Sequence, residues 1–94
     1  GTLIVKNTKG DTTGIITDGQ IRRVGQRNQN LHSLKVKEVM TKNPFTVNKD
    51  ILAQKALAIM NEKKITSLCV NSSNKKNKTI GIIHIHSILE ANIH

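Results

Sequence analysis

Between Ile51 and Lys64, the apolar residues Leu52, Ala53, Ala56, Leu57, Ile59 and Met60 recur three and four positions apart, while Gln54, Lys55, Asn61 and Glu62 fall largely off that stripe. A period near 3.6 predicts an amphipathic helix. Asn48 or Asp50 stands where it can cap a start near Ile51, and Lys63 and Lys64 close the last turn, where positive charge suits the helix dipole. The other apolar positions come as short runs bounded by polar loops: Leu3-Ile4-Val5, Gly14-Ile15-Ile16, Phe45-Thr46-Val47, Leu68-Cys69-Val70 and Gly81-Ile82-Ile83. Runs of this length rich in Ile, Leu and Val predict strands.

The strand pattern is duplicated. Thr2-Leu3-Ile4-Val5 matches Ser67-Leu68-Cys69-Val70 at an offset of 65, and Gly14-Ile15-Ile16-Thr17-Asp18-Gly19-Gln20-Ile21 matches Gly81-Ile82-Ile83-His84-Ile85-His86-Ser87-Ile88 at an offset of 67. The two extra residues fall in polar loops, 7–13 in the first copy and 71–78 in the second, where hairpins tolerate insertion. Each copy reads strand, polar turn, strand, short helix. The second copy is preceded by the strand from Phe45 and the helix described above, which makes its complete unit βαββα. The first copy lacks that opening strand and helix. Between the copies, 25–33 is rich in Asn, Gln and Gly and reads as a loop, followed by an apolar-spaced turn over 34–40. Thr41-Lys42-Asn43-Pro44 breaks that turn, since proline disfavours helix at the residue before it.

Composition narrows the possibilities. The 94 residues allow one modest core, and a single aromatic, Phe45, argues against an aromatic-lined pocket. Cys69 is the one cysteine and cannot form an internal disulfide; no apolar run approaches the roughly 20 residues that span a bilayer. These features point to a soluble, reducing, cytoplasmic setting with no membrane partner. The first residue is Gly1 and not Met, and it leads straight into Leu3-Ile4-Val5, as expected of a piece of a longer protein. Lys and Arg number 15 against 6 Asp and Glu, a net charge of +9 that favours anionic partners. Twelve of those cations are Lys, scattered or gathered in the loop 75–78, as solvated loop charge would be. A nucleic-acid surface is opposed by the lack of stacking aromatics.

A βαββα unit in tandem, with Val39-Met40-Thr41 before Pro44 and a Gly-apolar-apolar-Thr step at Gly14–Thr17, resembles the CBS family. The finer wording, Gly14-Ile15-Ile16-Thr17-Asp18-Gly19, Ile21-Arg22-Arg23, Lys64-Ile65-Thr66-Ser67 and Gly81-Ile82-Ile83-His84-Ile85-His86, is similar to the tail of the arabinose-5-phosphate isomerases. The resemblance implies an α/β (α+β) fold of tandem CBS motifs with pseudo-twofold symmetry, the first truncated at its N-terminus. It places a partial first motif at 1–33, a linker at 34–44 and a complete second motif at 45–94. It further implies a parent isomerase domain that interconverts ribulose 5-phosphate and arabinose 5-phosphate for Kdo and lipopolysaccharide synthesis. Catalysis belongs to that domain and not to these residues.

The same resemblance turns the start of each final helix toward a cleft between the motifs, where unpaired N–H groups and the positive dipole end suit a phosphate or carboxylate. Thr17 and His84 occupy equivalent starts. Thr17 can cap the helix, donate to a ligand, or both; Asp18 can accept from sugar hydroxyls or merely favour the helix N-terminus. Nucleotide-binding CBS motifs commonly carry an Asp three residues after the Thr or Ser, and here those positions are Gln20 and Ser87, which weakens an ATP or AMP reading. Adjacent Arg22 and Arg23 point about 100° apart, so at most one aims squarely at a ligand. His84 and His86 make a poor zinc set without a third ligand, and hydrogen bonding to a ligand suits them better. Ile65, Thr66 and Ser67 enter a strand beside the cleft, with Met40 and Thr41 on the opposite wall, although Ile65 and Met40 suit a core better than a ligand site. Cys69 reads as a small buried hydrophobe.

Three functions remain in competition, and a basic nucleic-acid-binding module is the weakest of them. One is a sensor that needs no cofactor and binds an anionic nucleotide or nucleotide-sugar such as CMP-Kdo, the end product of the pathway. Another is an assembly module that pairs subunits into a homo-oligomer. Without its opening strand and helix, the first copy is expected to expose apolar surface around Leu3, Ile15 and Ile21, which predicts self-association or a longer ordered chain.

Overall fold

The computed structural model describes residues 1–27, 31–72, 75 and 77–93. The parts of the expected loops at 28–30, 73–74 and 76 lie outside the described residues. The chain divides into two compact units, Gly1–Pro44 and Phe45–His94.

The first unit is an antiparallel hairpin of β1 (Thr2–Lys6) and β2 (Thr12–Thr17), followed by α1 (Asp18–Gln26), a short 3-10 turn at Leu31–Ser33, α2 (Val36–Val39) and β3 (Thr41–Lys42). The hairpin loop is built by Asn7. Its Oδ1 accepts from the Lys9 and Asp11 N–H groups at 2.9 and 3.0 Å, and its backbone pairs with Asp11 and Gly10. Gly10, at φ 82°, supplies the left-handed residue the loop requires. The sequence reads 41–44 as a break, but Thr41 and Lys42 form a third strand, pairing antiparallel with Ile15 and Gly14 in a sheet of order β1-β2-β3. The expected linker thus folds back onto the first sheet. No residue of α1 or α2 is buried, and Gly14 and Ile16 are the buried points of β2.

The second unit runs β4 (Thr46–Asn48), α3 (Ala53–Lys63), β5 (Ser67–Asn71), β6 (Thr79–His84) and α4 (Ile85–Ile93), with sheet order β4-β5-β6. β4 pairs parallel with β5, so α3 is the crossover that a parallel pair demands. Val47, Ala56, Met60, Leu68 and Ile88 form the buried core, with Ile51, Leu57, Ile59, Ile65, Val70, Ile83 and Ile85 packed around it. The helix begins two residues later than the sequence suggests. Asn48 spends its Oδ1 on the Asp50 N–H at 2.9 Å, and its carbonyl takes the Ile51 N–H at 3.0 Å, so 48–51 is a turn. Leu52 becomes the N-cap without a side-chain cap bond and stands 75% exposed, off the buried stripe. Lys64 ends the helix in a left-handed conformation at φ 57°, and the Lys63 ammonium lies 5.3 Å from the centre of the Phe45 ring.

The repeat extends to the register. Thr2↔Thr17, Leu3↔Ile16, Ile4↔Ile15 and Val5↔Gly14 in the first hairpin correspond to Ser67↔His84, Leu68↔Ile83, Cys69↔Ile82 and Val70↔Gly81 in the second. A register shift follows at the same point in both, between Val5 and Lys6 and between Val70 and Asn71. Cys69 is buried in β5; burial pushes its thiol pKa up, against a smaller opposing effect of its hydrogen bond with Thr79.

Candidate functional site

In the first unit the polar residues gather where β2 passes into α1. Thr17 is extended (φ −112°, ψ 162°) and caps α1 through a reciprocal pair of bonds: its Oγ1 accepts from the Gln20 N–H at 3.3 Å, and the Gln20 Oε1 accepts from the Thr17 N–H at 2.7 Å. This is a capping box, which satisfies two amide donors that a helix start otherwise leaves open. The Gln20 Nε2 donates to the Thr41 Oγ1, tying the helix start to β3. Asp18, the first helical residue, is exposed and paired with the amino group of Gly1. Arg22 and Arg23 are both exposed, and the Arg23 guanidinium lies close over Gly19. Met40 lies half-buried against the backbone of Gly14, close enough that a Cβ at Gly14 would stand 2.6 Å from its Sδ. That is a packing contact between the end of α2 and β2. Thr17, Gln20 and Thr41 are therefore brought into one bonded chain, with Asp18, Arg22 and Arg23 on exposed positions of the same helix.

In the second unit the corresponding step is β6 into α4. His84 ends β6, half-buried and in register with Ser67, which is 5% exposed. The His84 and His86 rings stack with centroids 5.0 Å apart and planes 24° from parallel. The His86 N–H donates to the His84 Nδ1 at 3.4 Å, so His84 takes the place that Thr17 holds in the first copy. Thr66 is exposed and uses its carbonyl to accept the Ile85 N–H at 2.8 Å; Ser87 is exposed, and Ile65 packs against the core. Among the described residues no three His, Cys, Asp or Glu side chains converge as a metal ion needs.

The link from Gln20 to Thr41 is the feature that reading the sequence misses. Thr17-x-x-Gln20 before an apolar residue is the written signature of a capping box. Nothing local reveals that the free end of the same amide reaches β3, because that requires knowing that 41–42 returns to the sheet.

The CBS domain family model matches residues 36–94, more than half of the chain. The chain belongs to the CBS domain family. Arabinose 5-phosphate isomerase KdsD of Pseudomonas aeruginosa is 33% identical over 93 residues, covering 99% of this chain and 28% of the relative. Arabinose 5-phosphate isomerase KpsF of Escherichia coli is 33% identical over 85 residues, covering 90% of this chain and 25% of the relative. The chain thus spans about a quarter of the length of the curated relatives it matches. Among solved structures, the CBS domain pair of protein MJ0100, in complex with 5′-methylthioadenosine and S-adenosyl-L-methionine, superposes with a TM-score of 0.84 at 22% identity, over 97% of this chain and 68% of that one. That likeness shows the fold, and the two three-stranded sheets with their helices are the fold of a CBS pair. No helix among the described residues is long and apolar enough to cross a membrane.

Proposed function

We propose that this CBS pair is the regulatory part of an arabinose-5-phosphate isomerase and binds an anionic nucleotide or nucleotide-sugar. The observation that carries the reading is the step from β2 into α1. There Thr17 caps a helix that carries Asp18, Arg22 and Arg23, so one carboxylate and two guanidinium forks stand on exposed positions beside the cap. Similarity to two arabinose 5-phosphate isomerases supports the parent, and the MJ0100 complex is a case of the same fold holding nucleosides. CBS domains are non-catalytic, so the isomerisation of ribulose 5-phosphate, its place in Kdo and lipopolysaccharide synthesis, and a cytoplasmic setting go with the parent. His84, His86, Ser87, Ser67 and Thr66 are the second unit's candidate contacts; Ile65, Met40 and Thr41 are candidate walls, and Gln20 contributes its amide.

CMP-Kdo is the effector we favour, because it joins a carboxylate and a phosphate to a pyrimidine nucleoside and does not require the adenosine-type Asp that Gln20 and Ser87 replace. A thermal-shift screen with CMP-Kdo, CMP, AMP, ATP and a short oligonucleotide, at low and high salt, tests this. Ligand at 100 times its dissociation constant adds about 2.7 kcal/mol of stability. Selective stabilisation by the CMP compounds that persists in salt supports the sensor; a shift with the oligonucleotide alone that collapses in salt overturns it. One observation favours an assembly module instead. Leu3 is 66% exposed while its counterpart Leu68 is 1% exposed, so the first hairpin presents an apolar position that either a second subunit or the opening strand and helix of the first motif could cover.

A further inference from the structure

The Gln20 side chain is engaged at both ends. Its Oε1 closes the capping box on the Thr17 N–H, and its Nε2 holds the Thr41 Oγ1. A carboxamide is one rigid plane, so a movement that withdraws the oxygen from Thr17 also withdraws the nitrogen from Thr41. The strand held in this way is thinly attached. β3 pairs with β2 at two positions, Gly14↔Lys42 and Ile15↔Thr41, and is followed by a long bond from the Asn43 N–H to the Thr13 carbonyl at 3.4 Å. Thr41 and Lys42 are exposed, and α2 just before them buries nothing. Asn43 then turns left-handed at φ 51° into Pro44, and the chain runs on into β4.

Resting on the nucleotide reading above, we propose that Gln20 is a ligand-sensitive latch on β3. A phosphate or carboxylate that takes the Thr17 N–H displaces the Gln20 oxygen, the amide swings away as a unit, and Thr41 loses its donor. Binding at the first turn of α1 is thereby linked to release of Thr41–Asn43, the stretch that leads into the second unit. Gln20 here acts as a positioning residue. A carboxylate at this position would carry no N–H donor and could not hold the Thr41 oxygen in the same way, which gives the amide a reason to be there beyond contact with ligand.

Linkage makes the latch measurable, because a ligand that opens it must bind more tightly once it is already open. Thr41→Val removes the hydroxyl and keeps the β-branched shape that suits a strand. With CMP and AMP as probes, calorimetric titration of the full chain should give binding about two- to tenfold tighter in Thr41→Val than in the parent sequence, the range of one hydrogen bond's net worth. Hydrogen exchange at the Thr41–Asn43 amides should rise on nucleotide addition in the parent and already be raised in ligand-free Thr41→Val. Thr41→Ser, which restores the hydroxyl, should return both readouts to the parent values. Equal affinities in the parent and Thr41→Val, with exchange at 41–43 unmoved by nucleotide, overturn the latch and leave nucleotide binding standing. Binding of neither nucleotide to either protein overturns the reading on which the latch rests, and the latch with it.

Discussion

Gly14 and Gly81 occupy the same register position in the two hairpins, opposite Val5 and Val70, yet their surroundings predict opposite responses to one added methyl group. A Cβ at Gly14 would lie 2.6 Å from the Met40 Sδ, 2.9 Å from its Cγ and 2.8 Å from the Thr41 carbonyl oxygen. The methionine can rotate away; the carbonyl cannot unless β3 moves off β2. Overpacking of this kind costs about 1 to 3 kcal/mol, only partly offset by the roughly 0.4 to 1 kcal/mol that alanine gains by restricting the unfolded chain. At Gly81 a Cβ meets nothing within 4 Å, and the residue is not in the left-handed region, so only the entropic gain remains. Gly14→Ala should therefore destabilise by about 1 to 2 kcal/mol and Gly81→Ala stabilise by about 0.4 to 1 kcal/mol. Urea unfolding followed by circular dichroism measures both, and hydrogen exchange assigns the loss to the first unit. A Gly14→Ala midpoint at or above that of the parent sequence would refute the reasoning. Adding Met40→Ala to Gly14→Ala should relieve the clash only in part, because the Thr41 oxygen stays.

The remaining predictions concern the core, the thiol and a helix end. Leu68→Ala opens the centre of the second unit's core and should cost about 2 to 5 kcal/mol, while Leu3→Ala, at the equivalent but exposed position, should stay within about 0.5 kcal/mol by the same urea assay. The Cys69 thiol has its pKa raised above 9.0 in the fold, so the folded state holds its proton longer than the unfolded chain does. The stability this contributes is complete below pH 9 and is lost as pH rises from there through the folded value; Cys69→Ala should flatten that alkaline decline relative to the parent sequence. Lys64→Gly relieves a left-handed residue at the end of α3 and should raise stability by about 0.5 to 1 kcal/mol, read as a higher thermal midpoint.

The strands of both hairpins were legible because short Ile, Leu and Val runs bounded by polar loops leave little alternative, and the repeat fixed how they correspond. The α3 stripe was legible for its period, and Ala56 and Met60 are its buried members. Its start was misplaced because Asn48 serves equally well as a helix cap or as a turn residue, and the turn bond to the Asp50 N–H prevails here. β3 was missed for a different reason. Thr41-Lys42 has no apolar alternation, and its strand character comes entirely from a partner, β2, some 27 positions earlier in the chain. The capping role of Thr17 was open in the sequence, and the structure shows it; where Gln20 sends its other end depended on that same unseen strand.

Two hairpins with the same register and the same register shift nevertheless differ in what covers them. In the second unit α3 lies against β5, and Leu68, Cys69 and Ser67 are buried; at the matching positions of the first unit Leu3 is exposed and Ile4 and Thr2 are only half-buried. Backbone pairing follows from the strand and loop sequence and is therefore shared, whereas burial follows from the elements laid on top and is not. Among the described residues α1 and α2 accordingly bury none of their side chains, whereas α3 buries Ala56 and Met60. Thr17, Asp18, Gln20, Arg22 and Arg23 all lie in the first unit. A ligand can shift a structure only by its differential affinity for the two states, so the proposed latch on Thr41 must draw its work from contacts that the ligand makes only once Gln20 has let go of Thr17.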